Sequence, residues 1–149
     1  MTADIDAMAE WSAWCPFDQA CLEATRAPGV YMARTGSDGP IVYVGMAGKR
    51  KGKGIRGRLY IYSSGKAAVS GLGEAAFNRA LADPKWVRER LALLESGEVH
   101  SAKQWARAAI DHLDLYVRWT STGDRANALA LERAVITAMH GLPLWNVRR

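Results

Sequence analysis

The chain is poor in the residues from which most metal and redox centres are built. Two cysteines occur in 149 residues, Cys15 and Cys21, with five residues between them. That is neither a disulfide framework nor a zinc ligand set, and in a reducing setting they read as packing thiols. The three histidines, His100, His112 and His140, form no H-x-x-x-H pair. No run of about 18 apolar residues exists, which excludes a membrane-spanning helix. The first ten residues carry Asp4, Asp6 and Glu10 and no basic residue. That charge is wrong for a secretory signal, so a cytoplasmic protein is expected. A nucleophile elbow of the form G-x-S-x-G is also missing, which leaves an α/β-hydrolase unsupported.

One further scarcity is local. Between Asp38 and Glu74 there is no acidic residue, yet seven of the chain's 20 basic residues lie there: Lys49, Arg50, Lys51, Lys53, Arg56, Arg58 and Lys66. The net charge of +5 therefore comes from one segment, and the remainder is slightly acidic. A concentrated positive stretch is the footprint of a phosphate-contacting surface, because focused charge raises the local potential most. Lys49, Arg50, Lys51, Lys53 and Arg56 are the candidate nucleic-acid contacts.

What is present is an ordinary globular composition, 49% apolar and 23% charged, which excludes a disordered chain. The length suits one domain. Residues 1–28, with Trp11, Trp14 and Phe17, read as an N-terminal helical extension packed on a domain over 29–149. Gly29–Arg34 and Ile41–Gly45 read as two β-strands, and the turn-rich connector 35–40 makes them an antiparallel hairpin. From Ile55 the period turns helical, with Leu59 and Tyr62 on the same face. Gly71–Ala82 suggests another helix. Asp83-Pro84 restarts the chain as N-cap and first helical residue, and Gly97 ends that helix. Ser101-x-x-Gln104 is a capping box opening a helix to about His112.

Leu113–Thr120 alternates as a third strand, with Leu113, Leu115, Val117 and Trp119 on one face. A last helix runs from about Asp124 to His140. The expected fold is α/β of the α+β kind: a small sandwich with a three-stranded, mainly antiparallel sheet, in the order β-β-α, inserted helices over about 64–112, then β-α. Trp86 and Trp105, within the insertion, read as core residues rather than base-stacking platforms.

Two nucleotide-binding patterns fail in context. Gly52-Lys53-Gly54-Ile55-Arg56-Gly57 matches G-x-G-x-x-G, but it begins seven residues after the strand ends and lacks alternating βαβ units. A P-loop fails because Gly54 stands where Ser or Thr must hold magnesium.

Two residues resist a purely structural reading. In the last helix Ala128, Leu129, Val135, Ile136 and Met139 make an apolar stripe, and Glu132 points within about 60° of each. A core-facing carboxylate must be paired, protonated or metal-bound. In the first long helix Arg58 and Tyr62 share a face at i and i+4, directly after the basic loop. A guanidinium there can bind phosphate and stabilise charge on a phosphoryl oxygen.

These residues carry a resemblance to the GIY-YIG nuclease family. Gly29-Val30-Tyr31 resembles its first motif and Tyr43-Val44-Gly45 its second, each with Val for the usual Ile. Ile55-x-x-Arg58-Leu59 resembles the segment bearing the catalytic arginine, and Tyr62 falls where members carry His or Tyr. Leu131-Glu132 resembles the metal-binding glutamate motif, and Pro143-Leu144-Trp145-Asn146 the terminal segment ending in an active-site asparagine. The resemblance spans 29–146 apart from about 64–112. The loop from Gly45 to Ile55 is longer and more basic than usual.

The resemblance implies a metal-dependent endonuclease that hydrolyses DNA phosphodiesters with one Mg2+ or Mn2+ held by Glu132. A hard cation with few protein ligands suits a single carboxylate. Arg58 would neutralise non-bridging oxygens. Tyr31 or Tyr43 would orient or deprotonate the attacking water, with Tyr62 in the same network, and Asn146 would position scaffold or substrate. Tyrosine is a poor base at its usual pKa of about 10, so Arg58 and the cation would have to lower it. Branched and damaged duplexes are among the DNA forms such a site admits. The rival readings are a catalytically inactive nucleic-acid-binding module and an RNA-directed nuclease working within a larger assembly.

Overall fold

A computed structural model describes residues 2–49 and 53–146. The hairpin strands form where expected, as β2 (Gly29–Thr35) and β3 (Ile41–Ala47). They pair antiparallel with Tyr31 opposite Gly45, and a bulge falls between Ala33 and Arg34. The later strand, β4 (Leu115–Ser121), joins the other side of β2, with Tyr31 opposite Trp119. It starts two residues later than the alternation suggested. Leu113 instead caps the preceding helix, and Asp114 takes a left-handed turn at φ 50°.

The sheet has four strands, not three. The fourth, β1, is the two-residue segment Cys15–Pro16 paired with β4 at Val117 and Tyr116, which gives the antiparallel order β1-β4-β2-β3. So short a strand has no alternation to detect, and its proline is tolerated because it lies at the sheet's edge. The N-terminal segment is therefore part of the sheet. It also supplies helices α1 (Thr2–Asp6) and α2 (Phe17–Glu23).

Between β3 and β4 the chain forms α3 (Gly54–Ser63), α4 (Gly71–Leu81), α5 (Pro84–Glu95) and α6 (Ala102–His112). Their starts follow the local chemistry. The Asp83 carboxylate accepts from Lys85 N at 3.0 Å, and Ser101 and Gln104 close the capping box at 3.2 and 2.7 Å. The last helix, α7 (Arg125–Ala138), opens with Asp124 accepting from Asn127 N at 2.7 Å.

Helices cover both faces of the sheet. On one face Tyr31, Ala33, Ala47, Leu115 and Val117 pack against Phe17, Ile55, Leu59, Leu72 and Ile110 from α2, α3, α4 and α6. On the other, Val30, Met32 and Val44 pack against Val135 and Met139 of α7 and Ile5 of α1. The polar residues Arg118 and Thr120 of β4 are buried. The Arg118 guanidinium pairs with Asp6 at 2.7 Å and lies over Trp11 and Trp14 at 5.1 and 4.9 Å, which ties the N-terminal segment down.

Trp86 centres a small satellite core with Phe77 and Trp105, its ring edge-on to Trp105 at 5.8 Å. Both cysteines are free. Burial raises both thiols, Cys21 to about 11, which fits inert packing groups. No described helix is long and apolar enough to cross a membrane.

Candidate active site

The motif glycines are dictated by close packing. A β-carbon at Gly29 would overlap the Thr120 carbonyl and stand 2.8 Å from Ile55 Cδ1, so only glycine lets β4 and α3 close on this strand. At Gly45 a β-carbon would overlap the Tyr31 ring, whose face lies across β3 at that point. The first strand's tyrosine and the second strand's glycine are therefore one packing unit.

Around this unit three tyrosines gather from three elements. Tyr31 and Tyr62, 1% and 3% exposed, join their hydroxyls at 2.7 Å. Tyr43 lies beside Tyr31 with ring centroids 6.2 Å apart and planes 26° from parallel. The Tyr62 and Tyr43 hydroxyls both point at Gly71, where a β-carbon would stand 2.5 and 3.3 Å from them. Gly71 opens α4 with φ +54°. It lets the inserted helix approach the phenols, a role its sequence signal (a helix-start glycine) does not show. Of the three tyrosines Tyr43 alone is half-exposed, so it is the one that can meet a bound molecule.

The phenols respond first to burial. The pKa of Tyr31 is pushed well above 10, first by burial and then by Tyr62 and Tyr43; Arg58 opposes these and is outweighed. Tyr43 is also raised, by burial first and then by Tyr62 and Glu132, against Arg58. Arg58 thus acts in the anticipated direction, but desolvation of the phenolate is the larger effect. Burial thus favours the protonated phenol at both positions.

Arg58 lies on α3, half-buried, with its charge felt by Tyr31 and Tyr43. Glu132, on α7, bears on Tyr43 electrostatically and raises its phenol. It is half-buried. The buried residues on this helix and at its C-cap are Ala128, Val135 and Met139, with Leu131 and Ile136 packed partly on the same core. The Glu132 carboxylate has interactions of its own. No group of three or more His, Cys, Asp or Glu that could hold a metal occurs among the described residues. A half-exposed single carboxylate fits a hard cation that keeps most of its waters, not a tightly caged one.

Asn146 has a definite structural task. Its Oδ1 accepts from Val44 N at 3.0 Å and its Nδ2 donates to Val44 O at 2.6 Å, while Trp145 N donates to Val42 O at 2.6 Å. The side-chain amide thus copies a neighbouring strand and closes the free edge of β3. Arg79 of α4 lies over Trp145 at 4.6 Å and holds the same segment from above.

The basic residues divide. Lys49 and Lys53 are exposed, whereas Arg50 and Lys51 lie outside the described residues. Arg56 is partly committed to structure, since its Nε donates to Ala24 O at 2.8 Å. The first amides of α3 are also taken: Ile55 N donates to Ala27 O and Arg56 N to Thr25 O, at 3.2 and 2.9 Å. Those bonds leave little of that helix end for a phosphate, in keeping with the failed nucleotide-binding patterns. Arg125, not singled out from sequence, packs along Gly48 beside Lys49. Its one signal was a cation in the first turn of a helix, where the dipole disfavours it.

A cleft of about 370 Å³ lies elsewhere, lined by Ser63, Arg90, His100, Lys103, Arg107 and Asp111 among others. None of the tyrosines borders it, and Arg107 is neutralised there by Asp18 and Asp111 at 2.5 and 3.0 Å. No family model, curated protein or solved structure matches the chain.

Proposed function

We propose that this chain is a metal-dependent endonuclease that hydrolyses DNA phosphodiester bonds, in the manner its resemblance to GIY-YIG nucleases implies. The observation that carries this reading is that three tyrosines converge on the hairpin, Tyr31 and Tyr62 joined at 2.7 Å with Tyr43 beside Tyr31, while α3 supplies Arg58 and α7 supplies Glu132. The Tyr43 phenol is the half-exposed member of an otherwise buried tyrosine cluster. A cation, an anion and an oriented hydroxyl group around one edge strand are the parts that phosphodiester hydrolysis needs.

In this reading Glu132 holds Mg2+ or Mn2+, which when bound supplies positive charge to the leaving 3′-oxygen. Arg58 pairs with the non-bridging oxygens as charge builds on them. Tyr43 stays protonated and orients the attacking water by hydrogen bonding, and Tyr31 and Tyr62 fix its position from beneath. The water oxygen bonds to phosphorus as the P–O3′ bond breaks, and protons exchange with solvent. Lys49, Lys53 and Arg125 hold the phosphodiester backbone, while Asn146 positions β3 rather than touching substrate.

The test is incubation of supercoiled plasmid with Mg2+. Nicking by the wild type that falls by about 100-fold or more in Glu132→Ala and Arg58→Ala supports the reading. Binding without cleavage by the wild type refutes it in favour of a binding module, and faster cleavage of structured RNA than of DNA refutes the choice of substrate.

A further inference from the structure

We propose that α5 is the contact surface of a symmetric dimer, in which the helix packs antiparallel against the same helix of a second copy. The inference stands apart from the nuclease reading.

The 12 residues of α5 contribute one buried side chain, Trp86. Three large apolar residues are left in solvent: Val87, Leu91 and Leu94, 38%, 53% and 43% exposed. Their spacing of four and then three residues puts them on one face, the seam along which two helices pack. Leu81 before the helix and Val99 after it are also exposed. An isolated exposed leucine needs no explanation, but an ordered stripe of this kind marks an interaction site.

Charge selects the occupant. Lys85 and Arg88 lie toward the N-terminal end of α5, and Glu95 and Glu98 lie at and beyond its C-terminal end. The first turn has no acidic residue and the last turn no basic one. The Asp83 carboxylate caps the N-terminal end of α5, but at the C-terminal end Glu95 stands with no basic residue in the last turn, an arrangement the helix dipole disfavours. None of the ion pairs among the described residues involves Lys85, Arg88 or Glu95. Antiparallel packing on a second copy places each basic end beside an acidic end and sets the two dipoles head to tail. A twofold axis near Leu91 makes both contacts at once, as an isologous interface requires. Few other partners would satisfy both ends as well, because the pattern is complementary to itself.

A contact built on a helix about 18 Å long is small, so association in the micromolar range is expected. Sedimentation equilibrium of the full chain over a wide concentration range should show a monomer–dimer equilibrium. Leu91→Glu should abolish it with the thermal midpoint unchanged. Lys85→Glu with Arg88→Glu should weaken it by about tenfold, as should Glu95→Lys with Glu98→Lys. Combining all four reversals should restore it, which a folding defect could not do. A wild type that stays monomeric throughout overturns the proposal. So does a dimer indifferent to Leu91→Glu, or a chain that uses α5 to bind a different protein while remaining monomeric.

Discussion

Tyr31 and Gly45 face each other across β2 and β3, and the ring of Tyr31 fills the space a β-carbon at position 45 would occupy. The overlap involves the ring and its hydroxyl in a strand pair buried on that face, so neither partner can yield without moving the tyrosine cluster. Gly45→Ala should therefore cost about 2–4 kcal/mol of stability, an overpacking penalty measured by urea denaturation. In a Tyr31→Ala background the same change should cost less than 1 kcal/mol, roughly the background of surface substitutions. Equal costs in the two backgrounds would mean that the ring is not what excludes the side chain.

The raised phenols predict a loss of stability in alkali. An unfolded tyrosine ionises near pH 10, whereas Tyr31 and Tyr43 in the fold hold their protons to higher pH. The folded state thus binds more protons above about pH 10, and the stabilisation present below that pH is lost as pH rises toward the folded values. Unfolding midpoints should fall increasingly as pH rises above about 10. Tyr31→Phe and Tyr43→Phe should each flatten the fall. Ultraviolet titration of the five tyrosines should show those at 31 and 43 ionising late.

Much of the frame was legible because its signals are local. Asp83, Ser101 and Asp124 each cap a helix through a bond spanning two or three residues, and the turn-rich connector 35–40 imposes the hairpin. What stayed hidden depends on residues distant in sequence. The strand Cys15–Pro16 exists only because β4 offers an unpaired edge about 100 residues later. The pairing of Gly71 with two phenols likewise needs the inserted helices to fold back. For Glu132 the helical period gave the right sector, since the buried Ala128, Val135 and Met139 lie around it. Asn146 was picked out by motif alone, and its strand-like bonds to Val44 explain the residue type.

The basic residues should separate by function when binding is measured. In fluorescence anisotropy with duplex DNA across a salt series, Lys49→Ala, Lys53→Ala and Arg125→Ala should each reduce the salt slope by about one unit or less. Arg56→Ala should instead lower stability by about 1 kcal/mol, because it removes the bond to Ala24 O. An unchanged salt slope in all three surface variants would remove this side of the molecule from the binding face.

The last separation is between Tyr43 and Asn146, two residues at the same sheet edge with different tasks. Tyr43→Phe keeps the ring packing and removes the one half-exposed hydroxyl of the cluster, so it should lower plasmid nicking by about 100-fold with little change in stability. Asn146→Ala deletes two hydrogen bonds to Val44 and should cost about 2 kcal/mol. Its residual nicking, measured well below the melting midpoint, should stay within about fivefold of wild type, since β3 is still paired with β2. Asn146→Asp should be worse than alanine for stability above about pH 5, where a carboxylate meets the Val44 carbonyl and has no proton to give. Protonation at lower pH should recover part of that loss, a rescue that alanine cannot show. If Asn146→Asp matches alanine at every pH, the amide does not donate to Val44 in solution and the residue is free to serve the substrate instead.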